Sequence, residues 1–296
     1  MSELLPKSAV AKALVSSVPD WEWFLGQIES NGGRYKFPLY FSNAIVNLKI
    51  ENYPLLYENE NALSAVFFRG FMTDEELKEF SDALEKSALD DRGEVLLELC
   101  KEAGEFVDAI EIPKTLEQQK AAEEKFEALS EEDQKKATRF NQHFFASFFS
   151  SFHQMLSVMV HGEKLTSLVA QAKNGNDQAL VKSVQIDRRC LTVIPYFKQR
   201  HERSQFEPDQ DFSEKLAYRL RTAPYNGKIR HKSLYLTFSI LDQTGLFDTM
   251  THREILEFCD EIGVGRVSNR IEDVKYLTKR IADYRRFQKN GIASTP

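Results

Sequence analysis

Long apolar runs are missing from this sequence. The nearest approach, residues 140–160, is broken by Asn141, Gln142, His143, Gln154 and several serines, short of the roughly 18 apolar residues that a membrane-spanning helix needs. Cysteine is scarce: Cys100, Cys190 and Cys259 are far apart, and no C-x-x-C pair exists. An odd, scattered set of this kind excludes a disulfide framework and fits three small buried hydrophobes in a reducing compartment. With 13 glycines and 9 prolines in 296 residues, a loop-rich all-β fold is not expected. The opening residues MSELLPKSAVAKALVSSVPDWEW lack the apolar core of a secretory signal, so a cytoplasmic location is expected.

Catalytic signatures are lacking too. G-x-S-x-G, the P-loop, G-x-G-x-x-G and H-E-x-x-H do not occur. The six histidines are 143, 153, 161, 201, 231 and 252. No two of those on the central helix fall four residues apart, so no helical zinc pair is formed. Neither a metal nor a cofactor is expected, and a non-enzymatic role is favoured.

Charge is present, but unevenly placed. Residues 1–150 hold 16 Lys and Arg against 28 Asp and Glu, whereas residues 151–296 hold 23 against 17. The formal net charge of −6 conceals this split. The excess acid lies in residues 71–136, with 21 acidic and 9 basic side chains. Such asymmetry points to a polyanionic partner, or to self-association.

Helical periodicity dominates. Thr73-Asp-Glu-Glu76 is a capping box ahead of Leu77, Phe80, Leu84 and Ala88. A helix over 94–110 is expected, then a polar one over 115–129, and Ser130-Glu-Glu-Asp reads as a further helix start. In 137–160, Phe140, Phe144, Phe148, Phe152, Met155 and Met159 recur at intervals of three and four, which predicts a central core helix. Asn174-Gly175-Asn176 separates 164–173 from 177–190 as a tight αα-hairpin. Residues 196–233 read as a basic, aromatic stretch with loops at Pro208 and at Pro224-Tyr-Asn-Gly227. Helices follow over 231–242, over 251–262 behind the capping box Thr251-His-Arg-Glu254, and over 268–289. A small extended part is expected near Tyr35–Ile50, and a short helix over 21–28.

Three constellations bear on function. Residues 251–289 could form a helix-turn-helix about Gly263-Val-Gly265. However, Asn269 and Glu272 stand where packing residues are wanted, and Glu272/Lys275 and Asp283/Arg286 suit i,i+3 ion pairs on a solvated helix. A docked C-terminal helix is the stronger reading. The stretch 196–235 interleaves cations with Tyr196, Phe206, Tyr218, Tyr225 and Tyr235, a pattern that can neutralise phosphates and stack on bases. The same cations could instead serve as counter-ions for residues 71–136. Finally, Arg139-Phe-Asn-Gln-His143 resembles the R-x(4–6)-H signature of helical HEPN ribonucleases, but it is one residue short and spans five positions. No family residue carries over.

The expected fold is mainly α, an irregular multi-helix assembly around a Phe-rich central helix with a small mixed N-terminal part. Its regions are 1–136 and 137–296. The expected function is nucleic-acid binding, DNA or RNA, through Arg200, Arg203, Arg219, Arg221, Lys228, Arg230, Lys275, Lys279 and Arg286. The first alternative is a protein–protein adaptor or self-assembling subunit, a homo-oligomer through its acidic block. The second is a metal-independent helical ribonuclease built on Arg139 and His143.

Overall fold

The computed structural model describes residues 7–19, 53–59, 62–73, 75–79, 82, 115–207, 209–222, 230–264 and 274–291. The expected helices over 21–28 and 94–110, the extended part at 35–50 and most of the helix after Leu77 lie outside the described residues. Within them the chain is mainly α-helical, and no strand occurs.

The helices are α1 (Lys7–Ser16), α2 (Tyr53–Glu58), α3 (Ala62–Phe68), α4 (Leu116–Glu127) and α5 (Glu131–His161). They continue with α6 (Leu165–Lys173), α7 (Asp177–Ile186), α8 (Cys190–Val193), α9 (Pro195–Phe206) and α10 (Gln210–Arg221). The last three are α11 (Lys232–Gln243), α12 (His252–Glu261) and α13 (Val274–Asn290).

The core is organised by α5, 31 residues long and therefore about 46 Å from end to end. It begins at the N-cap Ser130, whose hydroxyl accepts from the Asp133 amide. The separate start read at Ser130 is thus the start of the central helix itself, and the division between 136 and 137 falls inside one element. Residues 131–139 of α5 are exposed or half-buried, and burial begins at Phe140. From there Phe140, Phe144 and Phe148 stack along one face and meet Phe67 and Phe71 across from α3. Each fully buried Phe contributes about 2–3 kcal/mol over its exposed state.

On another face, the small residues Ser147 and Ser151 let α11 approach closely, and the Ser239 hydroxyl donates to the Ser151 carbonyl at 3.0 Å. Tyr235, Phe238, Phe247 and Tyr284 form a second aromatic cluster, through which α13 docks on α11. Helices α6 and α7 flank α5 as the expected hairpin, with Asn176 capping α7 through its side-chain oxygen. One continuous hydrophobic core reaches from Val10 in α1 to Tyr284 in α13.

Two glycines fix where α5 and α13 end. Gly162 (φ 70°) caps α5 in the left-handed conformation, and Gly291 (φ 66°) follows α13. A Cβ on Gly162 would lie 2.7 Å from the Gly291 nitrogen, and one on Gly291 would lie 2.8 Å from the Val160 carbonyl oxygen. Both the backbone conformation and the contact exclude a side chain at either position.

Candidate functional site

Residues 196–222, read from sequence as a loop-punctuated stretch, form the two helices α9 and α10. Their apolar anchors are few, with Phe197 buried in α9 and Phe212 and Leu216 buried in α10. Charge supplies the rest. The Arg200 guanidinium grips Asp177, the first residue of α7, at 3.0 and 2.7 Å. It also reaches Asp209, the N-cap of α10, at 2.6 Å and lies 3.9 Å from the Phe212 ring centroid. At the far end, Arg219 Nη1 donates to Gln185 Oε1 at 2.9 Å. Contacts at opposite ends make α7 and α10 parallel neighbours.

An open groove of about 390 Å³ runs between them. Asp177, Asp209 and Asp211 line it toward the helix starts, and Lys182, Lys215, Tyr218 and Arg219 line it farther along. Lys215 pairs with Asp211 at 2.6 Å, and Lys182 lies 3.6 Å from Glu163. Arg219 has no carboxylate partner among the described residues, only the Gln185 amide and the flank of Tyr218. Tyr218 is 63% exposed. Nearby, His161 is held neutral: burial, then the positive charges of Lys182 and Arg219, push its pKa down to about 4. The C-terminal end of the groove is therefore electropositive, and the N-terminal end is not.

The nine cations named from sequence do not form one surface. Arg200 is sequestered in its clamp, where Asp177 and Asp209 raise its pKa further. Arg203 pairs with Glu207, the C-cap of α9, one turn away. Arg219, Arg221 and Arg230 have no carboxylate partner among the described residues, and Arg221 and Arg230 are exposed. Lys228 lies outside the described residues. On α13, Lys275 and Lys279 are exposed, while Arg286 lies 3.6 Å from Asp283, which also takes Arg280 at 3.0 Å. The expected Asp283/Arg286 pair forms, but Asn269 and Glu272, which bear on the helix-turn-helix reading, lie outside the described residues. Among the described residues no ion pair joins 115–136 to 195–232. Among the described residues, Arg200, Arg203 and Lys215 take their counter-ions from α7 and from their own stretch.

Arg139 and His143 occupy neighbouring turns of α5. The Arg139 guanidinium donates to the Phe71 carbonyl at 3.0 Å, and His143 Nδ1 lies 2.9 Å from the Arg139 carbonyl. Both side chains are half-buried and tied to backbone, and no cleft opens on them among the described residues.

A buried polar hub went unread in the sequence. Asp187 ends α7 and is fully enclosed. Its carboxylate accepts Nε and Nη2 of Arg189 and the Tyr57 hydroxyl, and lies 3.3 Å from His153 Nδ1. Burial alone would raise its pKa, but Arg189, His153 and these hydrogen bonds outweigh it and hold the carboxyl well below the usual range. Burial pushes His153 down to about 4, so at neutral pH it meets Asp187 as an uncharged ring. Burial likewise raises the Cys190 thiol well above its ordinary value, which makes it a poor nucleophile. The hub ties α2, α5, α7 and α8 together. Asp187-Arg188-Arg189 is legible as a helix end, but nothing in the sequence points to Tyr57 and His153 as its partners.

No family model, curated protein or solved structure matches this chain. What the groove can do follows from its own geometry.

Proposed function

We propose that the chain binds single-stranded nucleic acid at the C-terminal end of the α7–α10 groove. The observation that carries this reading is the combination of Arg219 and Arg221, which lack carboxylate partners among the described residues, with the exposed ring of Tyr218 between them. Guanidinium groups with spare N–H donors hold phosphate oxygens, and an exposed tyrosine face offers a base somewhere to stack. Lys182 and Lys215 extend the positive field along the groove. The three aspartates at the other end limit the footprint to a short contact.

The test is fluorescence anisotropy with a labelled single-stranded RNA and a DNA duplex. With about three phosphate contacts, affinity for the single strand falls about 20-fold between 50 and 200 mM salt. The R219A/R221A pair removes most of the binding, and Y218A weakens the single strand more than the duplex. No retention at low salt, or identical curves for wild type and R219A/R221A, sinks the reading.

The second reading, a protein-interaction module, is favoured by a different observation. Helix α4 buries none of its twelve residues. Together with the exposed start of α5 it forms an arm with little burial against the other described residues.

A further inference from the structure

The arm carries both of the features that mark a docking face. Leu116, Phe126 and Leu129 are 69%, 37% and 42% exposed, half of the large exposed hydrophobic side chains among the described residues. Ala122 and Phe126 are spaced i, i+4, which makes them a strip on one side of the helix, and Leu129 follows two residues past its end. Glu123 and Glu127, both exposed, border that strip. The helix itself is well built: Thr115 and Gln118 form a complete capping box, so its direction and register are set before anything docks on it. An acidic helix with an apolar strip calls for a basic surface with an exposed apolar group at its centre.

The chain presents such a surface. At the C-terminal end of α10, Arg219 and Arg221 have no carboxylate partner among the described residues and flank Tyr218. Within one chain, no ion pair joins 115–136 to 195–232 among the described residues. We infer that a second copy of the chain supplies the missing half: the α4 strip of one molecule packs on Tyr218 of another, with Glu123 and Glu127 against Arg219 and Arg221. This develops the interaction reading above and shares Arg219 and Arg221 with the nucleic-acid reading, but it depends on the arm, which nucleic acid would not need. The contact is between two different patches. It closes into a dimer when the exchange is reciprocal and builds longer assemblies when it is not.

The test is a charge swap read by light scattering over a concentration series at low and high salt. Wild type forms a salt-sensitive dimer or larger assembly. E123K/E127K and R219E/R221E each weaken association about tenfold or more, and the four substitutions combined restore it. Circular dichroism shows all variants folded, since Glu123, Glu127 and Arg221 are exposed and Arg219, half-buried, loses a single hydrogen bond to Gln185. F126S also dissociates the assembly, whereas F206S, away from the contact, leaves it intact. A wild-type monomer throughout the series overturns the proposal, and so does a swapped variant that fails to reassociate. E123K/E127K retains RNA binding at the wild-type level. Loss of RNA binding in wild type with assembly intact would remove the nucleic-acid reading alone.

Discussion

Asp187 shows how much one side chain can hold. Four elements meet at its carboxylate, and removing it takes from half-buried Arg189 its carboxylate contact and from buried Tyr57 a hydrogen bond. Breaking a buried charge pair costs about 3–5 kcal/mol, so D187A is expected to lower stability by that amount in urea unfolding. Y57F removes one hydrogen bond and costs about 1–2 kcal/mol. The ratio separates a charge hub from simple packing. Acid acts on the same residues. The folded pKa values of His153 and His161 are depressed from 6.5 to about 4. The unfolded chain therefore binds their protons first, and their contribution is complete above pH 6.5 and lost as pH falls toward 4. The loss is on the order of 2–3 kcal/mol for each ring. Asp187, depressed from 3.8, adds a further loss only below that pH. Stability measured between pH 7 and 4 should fall steadily, and less steeply in a H161F variant. Periodicity cannot reveal this hub: residues 57, 153, 187 and 189 belong to separate segments, and sequence spacing says nothing of side chains that meet through the fold.

At the scale of elements, what was legible depended on which force builds the helix. The central helix, the αα-hairpin and the capping boxes at Thr73 and Thr251 follow from apolar spacing and end signals, and all are present among the described residues, whereas the capping box at Thr115 went unread. The pair α9–α10 bears few buried apolar residues, so its periodicity is faint and its prolines and polar character read as loop. Its stability comes from i,i+4 pairs such as Arg203–Glu207 and Lys215–Asp211 and from the Arg200 clamp. Exposed pairs of this kind contribute only about 0.3–0.5 kcal/mol each, so the clamp carries the docking. R200M keeps most of the volume but loses both aspartates. Hydrogen exchange in such a variant should speed up in α10 while α5 and α11 keep their protection. R200K should not rescue it, because an ammonium cannot grip Asp177 with two parallel bonds and stack on Phe212 as well. Equal protection in R200M and wild type would show that Phe212 and Leu216 suffice.

Across the whole molecule, the charge split resolves into geography. Among the described residues, the arm is rich in carboxylates, and Arg200, Arg203 and Lys215 are paired within the basic half. Composition revealed the imbalance but not this arrangement, because the carboxylates that quench Arg200 and Arg203 lie in the basic half. At the end of α10, Arg219 and Arg221 have no carboxylate partner among the described residues. The site cations named from sequence were thus brought together only in part: Arg219 and Arg221 share one helix end, and Arg200 became a structural clamp.

The paired glycines at 162 and 291 have a consequence for how the sequence can change. Each is the other's steric limit, so the two positions form one locus rather than two. G162A and G291A are each expected to cost about 2 kcal/mol or more, yet the double variant should cost much less than their sum, since the first substitution already pries the helix ends apart. A strictly additive cycle would show that the left-handed backbone, not the crossing, sets the penalty. With the crossing intact, the end of α13 is pinned to the end of α5, and a helix far along the chain takes its register from a point where neither partner has a side chain to offer.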